Sequence, residues 1–399
     1  MGKRLRETFS EDSCYKIFFA ALAIAGLGYG IYKGVLDNYL AEIVGMGEMD
    51  RGITEFFREM PGLLLVLILA AFYSFSAEKM YKLGAALALV GMMMISIVPP
   101  VKGLVILSMF IYSMGEHIQL GMENTLALNY AKPGKGGEAL GYQKAMYQVG
   151  TLAGYALVVV FFAIFAKYSP FKVFFMISAV IFLVAFFFAA RLRGSSETDE
   201  TKRRFYFRKK FYKYYMLEVF YGARKQVFLT FGPYVLILLY GASATVISLL
   251  FAISAICSYF FAPLVGRIID RFGYKIVMIS DTLILVIVCF FYGFSHHLFP
   301  ERIAFVICCV NYVLDSIISL ASLASNVYVQ DLSDDPNEMR ATISTGVSVN
   351  HLISVIIALF GGWIWHTIGV ETLFMVSAAL GLCNSAYAAT INAKKDRLR

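Results

Sequence analysis

The chain has 399 residues, 59% hydrophobic and 16% charged, with 35 lysines and arginines against 27 acidic residues and a net charge of +8. Soluble domains carry about 25% charged residues, so this composition excludes an ordinary soluble enzyme and fits a chain whose solvent is the lipid bilayer. The positive charge does not point to nucleic acid, because the basic residues fall in short clusters at the ends of apolar runs and not along one face.

Each spanning helix needs about 20 mostly apolar residues, and apolar runs between polar breaks predict twelve helices here. The first, over 16–40, follows Lys3, Arg4 and Arg6 and carries Lys33 and Asp37; no signal-peptide type of cleavage site follows it, so it is expected to be retained. The second, over 52–76, holds Glu55, Arg58 and Glu59 before Pro61-Gly62, an expected kink. After a third helix over 82–100, the fourth, over 103–130, places Tyr112, Glu116, Gln119 and Glu123 on one polar stripe that is expected to line a cavity. His117 beside Glu116 reads as a packing group. The fifth, over 140–167, offers Tyr142, Tyr147 and Thr151, and the sixth covers 171–191. A polar stretch over 191–213, with Lys202-Arg203-Arg204 and Arg208-Lys209-Lys210, splits the chain near its middle.

The seventh helix, over 214–240, bears Arg224 and Lys225, and the eighth and ninth cover 243–268 and 274–295. The tenth, over 302–330, bears Asp315; the eleventh, over 341–366, has Ser344, Ser348, Asn350 and His351; the twelfth covers 370–391. The fold class is therefore an all-α polytopic membrane protein. Its expected organisation is a six-helix bundle at 1–190, a cytoplasmic basic linker at 191–213 and a second six-helix bundle at 214–399. Lysine and arginine collect in alternate loops and at both ends, including Lys394, Lys395, Arg397 and Arg399, which places both termini in the cytoplasm. A bacterial inner membrane is the expected location.

Ionisable groups inside spans cost roughly 2.5–3.5 kcal/mol each at a helix centre, so they must pair or serve a function. Lys225 lies about 18 Å into its helix and Asp315 about 20 Å into its own, near mid-membrane, where the two are expected to pair. Lys33 with Glu59, or Arg58 with Asp37, would form a similar strut in the first half. The substrate-contacting candidates are Lys33, Arg58, Glu116, Tyr147, Arg224, Lys225, Asp315, Asn350 and His351. Lys225 is the preferred anchor for a substrate carboxylate or phosphate, and Glu116 and Asp315 are the candidates for a coupling proton. Gly150 with Gly154, and Ala358 with Gly362, are spaced for close helix packing. Cys14, Cys257, Cys289, Cys308, Cys309 and Cys383 form no metal-ligand or Cys-x-x-Cys pattern and read as packing residues.

The two halves resemble each other. Tyr29-Gly30-Ile31-Tyr32-Lys33-Gly34-Val35 matches Tyr221-Gly222-Ala223-Arg224-Lys225-Gln226-Val227, and further along Tyr112, Leu120 and Glu138 match Tyr312, Leu320 and Glu338. Gly266-Arg267-Ile268-Ile269-Asp270-Arg271-Phe272-Gly273-Tyr274-Lys275 resembles the loop signature of the major facilitator superfamily, with tyrosine where a basic residue is usual. The corresponding first-half loop keeps the charges of Glu78-Lys79 and lacks both glycines. The resemblance implies two pseudo-symmetric six-helix bundles and transport by alternating access. By the same analogy Asp270 and Arg271, framed by Gly266 and Gly273, would hold the cytoplasmic side closed.

The expected function is secondary active transport of a small polar, anionic or zwitterionic organic solute, coupled to protons as a symport. The alternatives are an exporter of amphipathic or cationic compounds and a non-transporting receptor. No Walker-type loop or His-Glu-x-x-His pattern is present, so no enzyme activity, metal or cofactor is expected. The expected partners are the solute and the bilayer, with no nucleic acid, and the expected state is a monomer.

Overall fold

The computed structural model describes residues 2–10, 14–72, 75–165, 170–193 and 207–392. A short α1 (Gly2–Thr8) precedes α2 (Tyr15–Asn38), which continues as a π-helical turn over Tyr39–Ile43. Then follow α3 (Glu48–Ala71), α4 (Ala77–Ile97), α5 (Lys102–Asn129), α6 (Gly136–Ile164) and α7 (Phe171–Ala190). The second half has α8 (Tyr212–Tyr240), α9 (Ala244–Phe272), α10 (Tyr274–Leu298), α11 (Glu301–Ile318), α12 (Leu323–Leu332), α13 (Pro336–Thr367) and α14 (Val370–Ala389). A 3₁₀ turn over Ser319–Ser322 joins α11 to α12, so the tenth span, expected as one helix, is broken. Twelve spans result, as predicted. The basic clusters at 202–204 and 394–399 lie outside the described residues.

Several helices begin earlier than their apolar runs, because capping chemistry and not hydrophobicity sets the start. Glu338 N donates to Asp335 Oδ1 at 3.0 Å and Asp334 N to Glu338 Oε2 at 2.7 Å, while Pro336 occupies the first turn, where no donor is needed. The expected break at Asp334–Asn337 is thus the cap of α13, which starts at 336 and not 341. Ser76 caps α4 in the same way, accepting from Lys79 N at 3.4 Å. At the α9–α10 corner Gly273 has φ +83°, a conformation that a side chain opposes.

Ten helical segments among the described residues are long and apolar enough to cross a membrane. The other two, α3 and α8, have the length, at 24 and 29 residues, but their apolar sequence is interrupted by Glu55, Arg58 and Glu59 in α3 and by Arg224, Lys225 and Gln226 in α8. Most of α8 is buried, which keeps those charges away from lipid.

The chain packs as two compact units. The first comprises Met1–Val44, Leu64–Lys202 and Ala244–Leu249; the second comprises Gly45–Leu63, Arg203–Ser243 and Leu250–Arg399. The leading turns of α3 therefore belong with the second half and those of α9 with the first. Local contacts explain the exchange: Gly52 of α3 lies against the backbone of Ala358 and Gly362 in α13, and Ser248 Oγ of α9 donates to Gly34 O of α2 at 2.8 Å.

In the first unit, glycines let α2 and α6 touch. A Cβ on Gly150 or Gly154 would strike the α2 backbone at Ala23 or Leu27, and one on Gly26 or Gly30 would strike α6 at Tyr147 or Thr151. Lys172, at the start of α7, donates to Ile95 O and Val98 O at 2.7 and 2.5 Å, tying down the end of α4. Phe9 is fully buried and bridges to Ala131, and Thr8 Oγ1 donates to Glu138 Oε2 at 2.8 Å. In the second unit Arg208 and Lys210 donate to Glu338 at 2.9 and 2.7 Å. Glu138 and Glu338 are repeat partners, and each captures the segment that leads into its own half.

Buried hydroxyls join helices within the second unit, as in Tyr292 Oη to Gly232 O at 2.8 Å and Thr282 Oγ1 to Gly381 O at 3.1 Å. Tyrosines fill the bundle interiors: Tyr39, Tyr81, Tyr214, Tyr234, Tyr292 and Tyr328 are among the largest fully buried side chains. Their rings fill the space between helices that short side chains leave.

Replacing Gly150 with Leu drives a branched side chain into the α2 backbone and is expected to cost about 3 kcal/mol or more, abolishing the monodisperse peak in detergent size-exclusion. Gly137→Leu, at a position with nothing within 4 Å, leaves that peak unchanged.

Candidate functional site

The charges of α3 form a ladder. Arg51 Nη1 donates to Glu55 Oε2 at 2.8 Å, and Arg58 donates to the same carboxylate through Nε and Nη2 at 2.9 and 2.6 Å. Arg58 also donates to Glu59, whose Oε2 lies 2.9 Å from His351 Nδ1 on α13. From α8, Gln226 Nε2 donates to Glu55 Oε1 at 3.0 Å and to Thr230 Oγ1 at 2.8 Å. Arg51 and Glu55 are each 1% exposed, so these alternating charges substitute for water within the second unit. Their spacing places partners on one helix face.

Lys33 and Arg58 each have a close partner on their own helix. Lys33 Nζ donates to Asp37 Oδ2 at 2.7 Å on its own helix, and Arg58 is held by Glu55 and Glu59 on its own. One helical turn brings these partners within reach without any tertiary requirement. Arg51 and Gln226 were not singled out in the sequence; the run Arg51, Glu55, Arg58, Glu59 at three- and four-residue spacing was the signal for Arg51.

A second ion pair lies between α8 and α10. Arg224 Nη2 donates to Asp281 Oδ2 at 2.9 Å, with the two side chains 1% and 7% exposed. The Tyr221 ring sits 4.9 Å from the guanidinium carbon. Asp281 lies only about 10 Å into its helix, where a carboxylate reads from sequence as interfacial. The expected Lys225–Asp315 strut is thus replaced by Arg224–Asp281 as the close ion pair. Lys225 is half-buried, and its charge acts on both Glu218 and Asp315. Glu218 in turn accepts from Ser325 Oγ at 3.0 Å and Asn350 Nδ2 at 3.4 Å. Lys225, Asp315 and Asn350 therefore share one neighbourhood in the second unit, with Glu218 as a member not predicted.

The polar stripe of α5 is mostly interior packing of the first unit. Tyr112, Gln119 and Glu123 are buried; the Tyr112 ring lies tilted against Tyr32 at 4.8 Å, and Glu123 accepts from Gln143 at 2.7 Å. Glu116 stays half-buried, close enough to Tyr112 and Tyr147 to act on both. Tyr147 lies 5.9 Å from Tyr29. His117 Nδ1 is taken up by Ser113, at 3.0 Å from Oγ and 2.8 Å from its carbonyl.

In the loop signature, Asp270 is exposed and, with Gly266, lines a cavity of about 310 Å³ reached by Asn326, Gln330 and Met339. Arg271 lies over Phe272 at 5.4 Å. In the first half Glu78 is buried and Lys79 exposed.

Residues 214–396 match the family model of the Major Facilitator Superfamily. No curated protein matches the chain in sequence. Among solved structures, a mutant of the nucleoside transporter NupG aligns with TM-score 0.75 and 15% identity over 95% of this chain and 100% of that one. A D-xylose-proton symporter aligns at 0.73 and 14% over 95% and 98%. A bacterial homologue of the human lysosomal transporter Spinster aligns at 0.73 and 13% over 98% of each. Identities this low establish the fold and not the cargo.

Arg224→Met or Asp281→Asn alone leaves a buried polar or charged group unpaired, and each is expected to destabilise the protein by about 3–5 kcal/mol. The joint Arg224→Met, Asp281→Leu variant restores most of this in thermal unfolding, because no lone charge remains.

Proposed function

We propose that this chain, whose residues 214–396 match the Major Facilitator Superfamily model and whose fold is shared with solved transporters over 95% of its length, is a secondary active transporter working by alternating access. The observation that carries the reading of its cargo is half-buried Lys225, acted on by Glu218 and Asp315 near mid-membrane. Arg224, paired with Asp281, also acts on Asp315, so Lys225 and Arg224 together face Glu218, Asp281 and Asp315. That balance suits a zwitterion, whose carboxylate meets Lys225 and whose ammonium meets a carboxylate, better than a dianion. Proton coupling as a symport is part of the proposal, with Asp315 in the second unit and Glu116 in the first as the proton-carrying groups. Lys33, Arg58, Tyr147, Asn350 and His351 complete the candidate solute contacts.

The remaining expectations enter as proposals too. The protein is a monomer in a bacterial inner membrane with both termini cytoplasmic, organised as six helices, a basic linker and six helices. Asp270, Arg271, Glu78 and Lys79 act on conformational balance and not on solute. The excess of carboxylates around Lys225 equally suits export of amphipathic cations, so the test panel includes cationic dyes.

In thermal unfolding of the detergent-purified protein, a zwitterionic amino or organic acid is expected to raise the melting temperature, and Lys225→Ala is expected to remove that shift while the unliganded melting temperature holds. A dye that stabilises both forms equally would favour export. With the solute in hand, Asp315→Asn is expected to abolish uptake driven by a pH gradient; unchanged uptake in both Asp315→Asn and Glu116→Gln removes the proton role.

A further inference from the structure

Two of the chain's five histidines are adjacent, His296 and His297, in the last turn of α10. Glu371 stands opposite, in the first turn of α14. His296 Nε2 lies 3.1 Å and His297 Nε2 2.6 Å from the same oxygen, Glu371 Oε1, and the imidazole rings lie 3.9 Å apart between centroids. All three offer a ligand atom within 4.8 Å of one another. We propose that His296, His297 and Glu371 form a binding site for a divalent transition-metal ion of the zinc class.

The donor set supports this choice. Two imidazole nitrogens and one carboxylate oxygen suit Zn²⁺, whereas Mg²⁺ and Ca²⁺ prefer oxygen alone. Bonds of about 2.0–2.1 Å in a tetrahedron put neighbouring ligand atoms about 3.3 Å apart. The His296–Glu371 spacing of 3.1 Å nearly meets that, and the His297 side chain, 58% exposed, is free to retreat the rest of the way. The same exposure leaves an entry path and a fourth position for water.

The plainer reading is a hydrogen-bonded clasp. Histidine at a helix C-terminus and glutamate at a helix N-terminus are each favoured by the helix dipole. A clasp needs one imidazole on the carboxylate, however, and here both Nε2 atoms converge on one oxygen from neighbouring positions. A bound ion would fasten the end of α10 to the start of α14, outside the solute site. Metal binding is independent of the transport proposal, because it is read on the purified protein without any solute.

The full-length protein, stripped with EDTA and returned to chelator-free detergent buffer, is titrated with ZnCl₂ by calorimetry and followed by thermal unfolding. Stoichiometric binding and a rise in melting temperature are expected, both lost in His297→Ala and in Glu371→Gln and neither produced by MgCl₂. CoCl₂ is expected to give the visible absorption of a tetrahedral site. His366→Ala, which removes another exposed histidine near a glutamate, at 3.5 Å from Glu48, retains the effect. Absence of zinc binding in the unaltered protein, or an undiminished response in His297→Ala, overturns the proposal; loss of the response in His366→Ala does so too.

Discussion

A charge in hydrocarbon must find a partner within a few ångströms, and this requirement organises the molecule. Each ionisable side chain near a helix centre carries a cost of roughly 2.5–3.5 kcal/mol. The protein meets that cost by concentrating charges on two helices, α3 and α8, and by burying those charges within its second unit. Arg51, Glu55, Arg58 and Glu59 neutralise one another in sequence, with His351 from α13 at the Glu59 end and Gln226 from α8 donating to Glu55. Arg224 is matched by Asp281. Among the described residues, Lys225 is a half-buried cation whose charge acts on two carboxylates, Glu218 and Asp315, and the proposed solute contact rests on it.

Close helix approach is the second constraint, and it works through backbone. Glycines on α2 and α6 interlock, and Gly52 meets Ala358 and Gly362. Hydroxyls also donate to glycine carbonyls of the neighbouring helix, as Ser178 does to Gly28 O at 2.5 Å. The internal repeat adds a capping device used twice. Glu138 and Glu338 sit in the first turns of α6 and α13, and each binds the polypeptide entering its half.

The twelve spans and the superfamily resemblance were readable in the sequence because apolar length and the Gly266–Lys275 signature are local properties. Helix starts were misplaced wherever a cap extends a helix into polar sequence, as at Asp335-Pro336 and Ser76. Partnerships of charges were harder to read. Reach along one helix makes Lys33–Asp37 and Arg58–Glu55 legible from four- and three-residue spacing. Across helices no such spacing exists, and the roles of Asp281 and Glu218 emerge only once α8, α10 and α13 are packed. The exchange of the leading turns of α3 and α9 between units is likewise a packing result that no linear pattern encodes.

The central claim, that this is a carrier with an alternately exposed solute site and not a channel or receptor, is tested most directly by counterflow. Proteoliposomes loaded with unlabelled solute, the one that stabilises the protein through Lys225, are diluted into a trace of labelled solute with no ion gradient. The account predicts transient accumulation of label above its external concentration, absent in Lys225→Ala. Simple equilibration without an overshoot, or no entry of label, would contradict it.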